Sequence, residues 1–198
     1  MTPRAPDPAR RNERSRQAIL SAALDLIGEL TYPKVTIEAI ASRAGVGKQT
    51  IYRWWPSKAA VVFDAFMMLN KGGSSEVVLP DTGDFAADMR VVLHATVAEF
   101  ADPRYASAYR ALNTDVQDDP ALAEQMLARV LRPTLEAVKE RLRAAQRAGQ
   151  IDTGIDLDVA IELIYAPLYH RWLLRTGPMT TAYADQVLDL ALRALRPQ

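Results

Sequence analysis

The stretch TIEAIASRAGVGKQTIYRWWPSK, Thr36 to Lys58, decides how this chain is read. Its first half carries Ile37, Ile40, Ala41 and Ala44 at helical spacing behind Thr36, which stands where an N-cap belongs. Gly45 ends that helix, and Gly47 opens another that runs to about Trp55. Two short helices across a tight glycine-containing turn are the layout of a helix-turn-helix. With Ile51 turned inward and about 100° of rotation per residue, Gln49 and Arg53 share the outward face, flanked by Thr50 and Tyr52. Trp55 follows Ile51 by four residues and points inward. Trp54 lies roughly 60° from the inward direction, compatible with packing at the edge or with touching a duplex backbone.

The residue types on that outward face suit a nucleic acid. Arg makes bidentate hydrogen bonds to guanine, and Gln does the same to adenine. Lys48, Thr50 and Tyr52 are of the kinds that contact phosphates and fix register. Lys48 stands at a helix N-terminus, where its charge opposes the dipole unless a phosphate lies nearby. Lys58 follows Pro56 and Ser57 in the first turn of the next helix, a second expected phosphate contact.

Working outward, nearly every periodic segment repeats at helical spacing, so the expected fold class is all-α. A helix is expected from Glu13 to Leu30, broken off by Pro33, and another from Ser57 with Val62, Phe63 and Phe66 inward. A Gly/Ser/Pro-rich stretch from Lys71 to Asp84 reads as a connecting loop. Further helices are expected over Asp84–Ala101, Tyr105–Asp115, Pro120–Ala148, Asp156–Thr176 and Thr180–Leu195. Gly149 and Gly177 stand at C-cap positions, and Pro133 and Pro167 are set to kink or split their helices. The expected division is an N-terminal arm over 1–12, a helix-turn-helix DNA-binding domain over 13–71 and a larger helical domain over 84–198, to which the family resemblance given below assigns effector binding and dimerisation.

Composition sets the outer bounds. The 198 residues include no cysteine, which removes disulfides and thiolate metal sites; His94 and His170 are too few and too far apart for a metal cluster. No cofactor, metal or catalytic constellation is expected, because phosphate loop, nucleophile elbow and His–carboxylate patterns are all missing. Asp118-Asp119 reads as the acidic start of a helix. No run approaches the roughly 20 apolar residues of a membrane span, and the Pro/Arg-rich N-terminus does not read as a secretory signal, so a cytoplasmic protein is expected. The zero net charge hides an asymmetry: residues 1–72 hold 11 Lys/Arg against 6 Asp/Glu, while the remainder is acidic. One end is set to meet a polyanion.

The run from Thr36 to Lys58, with its leading helix and the helix that starts at Pro56-Ser57-Lys58, closely resembles the DNA-binding domain of the TetR family of bacterial regulators. The resemblance is close from Arg14 to Phe66 and continues beyond only as a helical layout of the right length. It implies that Thr36, Lys48, Thr50, Tyr52 and Lys58 contact phosphates and that Gln49 and Arg53 lie nearest the bases. At position 54, where the family often has His or Tyr, this chain has Trp54, whose indole N–H would have to make any backbone contact.

The resemblance also implies a homodimer held by the last two long helices, on a palindromic operator, and a small-molecule effector bound among the C-terminal helices. Independently, the helix from Asp156 is apolar nearly all round, and the last helix, with Val187, Leu188, Leu190 and Leu195, has a wide apolar surface. A partner subunit seated around Leu188 is one explanation and a monomer core is the other. Candidate effector contacts are His94, Phe100, Tyr109, Asn113, Met126, Tyr165, Tyr169 and Trp172, a mix that suits a mostly apolar, aromatic or hydrophobic molecule. The leading expectation is a ligand-responsive repressor. Alternatives are an activator or protein-responsive regulator with the same head and, from another class, an all-helical adaptor or enzyme.

Overall fold

The computed structural model describes residues 8–70 and 78–197, with side chains from Asn12 onward. Every regular element among them is helical. In chain order these are α1 (Pro8–Glu29), a 3-10 turn (Tyr32–Lys34), α2 (Ile37–Ala44), α3 (Lys48–Tyr52), α4 (Lys58–Asn70), α5 (Phe85–Ala101), α6 (Pro103–Asp115), α7 (Pro120–Met126), a π turn (Leu127–Leu131), α8 (Arg132–Arg147), α9 (Leu157–Leu174) and α10 (Thr181–Ala194). α1 starts at Pro8, so residues 8–12 of the expected N-terminal arm are helical; residues 1–7, and 71–77 of the expected loop, lie outside the described residues.

Local chemistry explains the boundaries. Thr36, Asp84, Asp156 and Thr180 each accept a backbone N–H of the following first turn through a side-chain oxygen. Asp119 caps α7 by accepting from the Leu122 N–H at 3.0 Å. Gly45 and Gly149 take the left-handed conformation (φ 66° and 69°) that ends α2 and α8. Gly177 does not take that role. α9 closes earlier, with Arg175 itself at φ 55°, and a Cβ on Gly177 would stand 3.3 Å from the Arg171 guanidinium. Near Pro133 the expected long helix splits: the ladder widens to a π turn, and Pro133 then sits in the first turn of α8, where no N–H is needed. α9 passes through Pro167 without splitting.

The chain forms two compact units. The first comprises residues up to Gly72 together with Pro103–Ala123. Here α1 packs on α2, α4 and α6, and α4 on α6. Phe66 of α4 is fully buried and stacks on Tyr109 of α6, with ring centroids 5.4 Å apart and planes 9° from parallel. The sequence assigned α6 to the C-terminal domain; its packing assigns it to the head.

The second unit comprises Gly73–Asp102 and Glu124–Gln198. Its core runs through Met89, Leu93, Leu142, Ile164, Leu168 and Leu188. A buried ion pair lies beside this core: Arg141 donates from Nε and Nη2 to Asp88 Oδ2 at 3.0 and 2.7 Å, and Thr82 donates to the same carboxylate from its N–H and its hydroxyl. Burial pushes the Asp88 carboxyl up, but the Arg141 and Thr82 hydrogen bonds outweigh it and hold the group below the usual carboxylate range. Leu188 is 0% exposed and belongs to this core, so the monomer reading holds for that residue. The apolar surface that stays open lies elsewhere. Val159, Leu163, Ala166, His170 and Leu173/Leu174 follow one another at three- and four-residue steps along the exposed side of α9, and Leu190 is exposed on α10.

Candidate nucleic-acid interface

The helix-turn-helix is fixed from below. Gly45 reverses the chain after α2, with the Val46 N–H donating to the Ala41 carbonyl at 3.0 Å. α3 then descends on Ile51, which is fully buried. At its far end the Trp54 and Trp55 N–H groups both donate to the Ile51 carbonyl at 2.9 Å. Trp55 is buried, and its indole N–H donates to Asp64 Oδ2 of α4 at 3.0 Å. Arg16 of α1 donates to the same oxygen, also at 3.0 Å. One carboxylate therefore ties the end of the recognition segment to both neighbouring helices.

This anchoring leaves a defined outward face. Lys48, Gln49, Tyr52 and Arg53 are exposed, while Thr50 and Trp54 are half-buried. α3 ends at Tyr52, and Arg53 continues its helical path as C-cap at φ −68° and ψ −27°. The Arg53 guanidinium lies 5.3 Å from the Trp54 ring centroid, and Trp54 packs edge-on against Trp55 at 5.5 Å. Trp54 thus packs at the edge of the segment beside Arg53, still partly open to solvent. Such stacking restrains the arginine without occupying its N–H donors.

Three of the head candidates, Lys48, Thr36 and Lys58, have a protein partner. Lys48 Nζ lies 3.0 Å from Glu38 Oε1, both side chains more than half exposed, and the Lys48 hydrogen bond holds Glu38 below its ordinary value. Such a pair is weak and gives way cheaply to a stronger anion. Thr36 Oγ1 accepts from the Ala39 N–H at 3.1 Å, and its hydroxyl also helps to hold Glu38 below its ordinary value. Lys58 donates to the Tyr32 carbonyl at 3.2 Å, with Nζ 3.8 Å from the Tyr32 ring centroid. The Tyr32 hydroxyl in turn donates to Asp115 at the end of α6. Sequence reasoning missed Tyr32 and Asp115, for no local pattern links residues 83 apart.

The effector candidates divide between the units. Tyr109 and Asn113 lie on α6 in the first, where Tyr109 packs on Phe66 and Asn113 donates to the Tyr109 carbonyl at 2.8 Å. His94 stands at the surface of the second, its Nε2 2.8 Å from Asp185 Oδ1 beside the Arg90–Asp185 and Arg90–Asp189 pairs. Met126 is buried at the end of α7. The other four come together. Phe100 of α5 stacks on Trp172 of α9 at 4.6 Å, with Tyr169 at 5.8 Å from the same indole. Tyr165, Tyr169 and Trp172 follow one helical stripe, and the Tyr165 hydroxyl is buried with no hydrogen-bond partner among the described residues. Burial pushes the Tyr165 hydroxyl up, and the charge of Glu99 adds to the shift; burial also raises Glu99 itself. Glu99 was missed because nothing in the sequence separates it from the surface acids. Among the described residues there is no group of side chains arranged to hold a metal ion.

Comparison with known proteins agrees with this geometry. The family model described as bacterial regulatory proteins, tetR family, matches residues 19–65, and that of the tetracyclin repressor-like C-terminal domain matches 79–191. The HTH-type transcriptional regulator YdeS of Bacillus subtilis is 36% identical over 187 residues, 94% of this chain and 90% of that protein. The DNA-binding transcriptional repressor TetR of Mycobacteroides abscessus is 25% identical over 185 residues, 93% of this chain and 95% of that one. The solved structure of a TetR family transcription regulator, 28% identical, superposes with a TM-score of 0.67 over 92% of this chain and 99% of its own.

Proposed function

Since the chain belongs to the TetR family of bacterial regulatory proteins, and is thus a helix-turn-helix transcriptional regulator, we propose that it is a ligand-responsive repressor acting as a homodimer on a palindromic operator. The first unit is the DNA-binding head, and the second carries the effector site and the dimer contacts. The carrying observation is the exposed row of Gln49, Tyr52 and Arg53 on a segment pinned by Ile51, Trp55 and Asp64. Gln49 and Arg53 read base edges, while Thr36, Lys48, Thr50, Tyr52 and Lys58 meet phosphates. Trp54 backs Arg53.

One helix-turn-helix reads only a few base pairs, so useful specificity takes two copies with recognition segments about 34 Å, or a multiple of it, apart. The open stripe of α9 from Val159 to Leu174, with Leu190 of α10, is the surface a second copy of this chain covers. A mostly apolar, aromatic effector suits Phe100, Tyr169 and Trp172, with a polar group placed to meet Tyr165 or Glu99. No described helix is long and apolar enough to cross a membrane, and the protein works where the chromosome is, in the cytoplasm.

The head is tested by salt dependence. Retention on a mixed-sequence duplex should weaken with salt, and Lys58→Ala should lower the slope of log K against log salt by about one unit per half-site. Binding without a steep salt dependence sinks the assignment of the head as a DNA-binding surface, and an unchanged slope in Lys58→Ala removes Lys58 from the phosphate contacts.

A further inference from the structure

We propose that Tyr32 and Asp115 are positioning residues for DNA binding: they hold the Lys58 ammonium at the place where it meets a phosphate. The inference rests on reading Lys58 as a phosphate contact. A lysine head rides on a flexible four-carbon stem, and its contribution to binding depends on how much of that freedom is already lost. Here the freedom is restricted on two sides. Nζ donates to the Tyr32 carbonyl at 3.2 Å and lies 3.8 Å from the centroid of the same residue's ring. An ammonium has three N–H donors, so two remain for a phosphate.

Tyr32 itself has little local support. It begins a three-residue 3-10 turn with no buried residue and no side-chain cap. Its distant anchor is the hydroxyl, which donates to the Asp115 carboxylate, a charge-assisted bond to the last residue of α6. Burial first, and then Asp115, push the Tyr32 hydroxyl above its ordinary value, so it keeps the proton it donates. α6 packs with α1 and α4 in the head, yet the segments that flank it in the chain, Gly73–Asp102 and Glu124–Gln198, belong to the second unit. Asp115 is therefore held by a helix that is tied to the second unit through the chain at both ends. A shift of α6 reaches Lys58 through two contacts, the hydroxyl–carboxylate bond and the tyrosine ring.

The test is a mutant cycle on the full-length protein, binding a mixed-sequence duplex at several salt concentrations. Tyr32→Phe keeps the ring and the carbonyl and deletes only the hydroxyl; Asp115→Ala deletes the acceptor. Each should weaken binding by about threefold to tenfold, the span of one ordinary hydrogen bond. In a Lys58→Ala background neither should weaken it further. Asp115→Ala also removes a negative charge, which by plain electrostatics tightens binding to DNA, so weaker binding is the discriminating sign. Thermal melting monitors the fold, and Tyr32→Phe alone carries the test if Asp115→Ala does not fold. Equal losses with and without Lys58, or no loss in the parent, overturn the proposal. A Lys58→Ala protein with unchanged affinity and salt slope overturns the phosphate reading beneath it, a result distinguishable from the other two.

Discussion

A carboxylate in the middle of the open stripe of α9, Leu163→Glu, separates the dimer surface from the core of the subunit. Leu163 is 41% exposed, with Val159 (60%) four residues before it and Leu174 (59%) at the far end of the stripe. In an isolated subunit the new carboxylate reaches water, so the fold should survive. In a two-fold dimer sealed over this stripe, both copies lose it. Full burial of a leucine is worth about 1.5–3 kcal/mol, so covering the open two-fifths of Leu163 contributes about 1 kcal/mol per copy. Two buried, unpaired carboxylates add an effective penalty of several kcal/mol each. The total exceeds about 5 kcal/mol, which weakens the dimer by more than roughly three orders of magnitude. Sedimentation velocity across a dilution series should show a folded monomer, and binding to a two-half-site duplex should collapse although the head is untouched. Leu188→Glu makes the control. That position is 0% exposed within its own subunit, so the same charge there should abolish folding, not merely association. A folded Leu163→Glu protein that stays dimeric at the lowest concentrations would place the interface elsewhere.

Three further outcomes are expected. Arg53→Ala should cost about 1–3 kcal/mol at one base pair per half-site and relax preference there, which a panel of single-substituted operators would read; full discrimination at every position would move base reading off this face. Because the folded carboxyl of Asp88 is held low, its pair with Arg141 stabilises the fold above the unfolded titration near pH 4, and that stability is lost as pH falls through the folded value. Replacing Arg141 with Met leaves Asp88 buried and unpaired, so denaturant unfolding near neutral pH should show a loss of about 3–5 kcal/mol, and a loss below about 1 kcal/mol would mean water reaches the pair. Tyr165→Phe removes a buried hydroxyl with no partner among the described residues, so it should leave the melting temperature unchanged or raise it, by about 1 kcal/mol of stability at most, while weakening any effector that bonds there; a lower melting temperature would show that the hydroxyl is satisfied in the free protein.

The head was readable from sequence because its signals are local. Thr36 caps within three residues, Gly45 turns the chain on the spot, and the inward placement of Ile51 and Trp55 follows from a four-residue step. Where the deciding partner is distant, sequence gave no purchase. Leu188 and Leu190 are equally apolar and two positions apart, yet one is core and the other 64% exposed, a difference set by the helices that pack against α10. The allocation of α6 was hidden for a related reason. Its periodicity marks a helix but not the neighbour it stacks on, and that neighbour is Phe66, earlier in the chain. Residue type picked out Phe100, Tyr109, Asn113, Tyr169 and Trp172 alike as effector candidates; that Phe100, Tyr169 and Trp172 pack together while Tyr109 and Asn113 lie on α6 in the other unit depends on distant contacts.

The placement of α6 bears on how this protein is cut and recombined. A fragment ending after Asn70 looks from the sequence like a complete reading head, yet it would strip the stacked ring of Tyr109 from Phe66 and uncover the sides of α1 and α4 that α6 packs against. Such a fragment should be sticky and protease-sensitive. A hybrid regulator that borrows this head for another sensor must carry residues 103–123 with it, in two splices and not one.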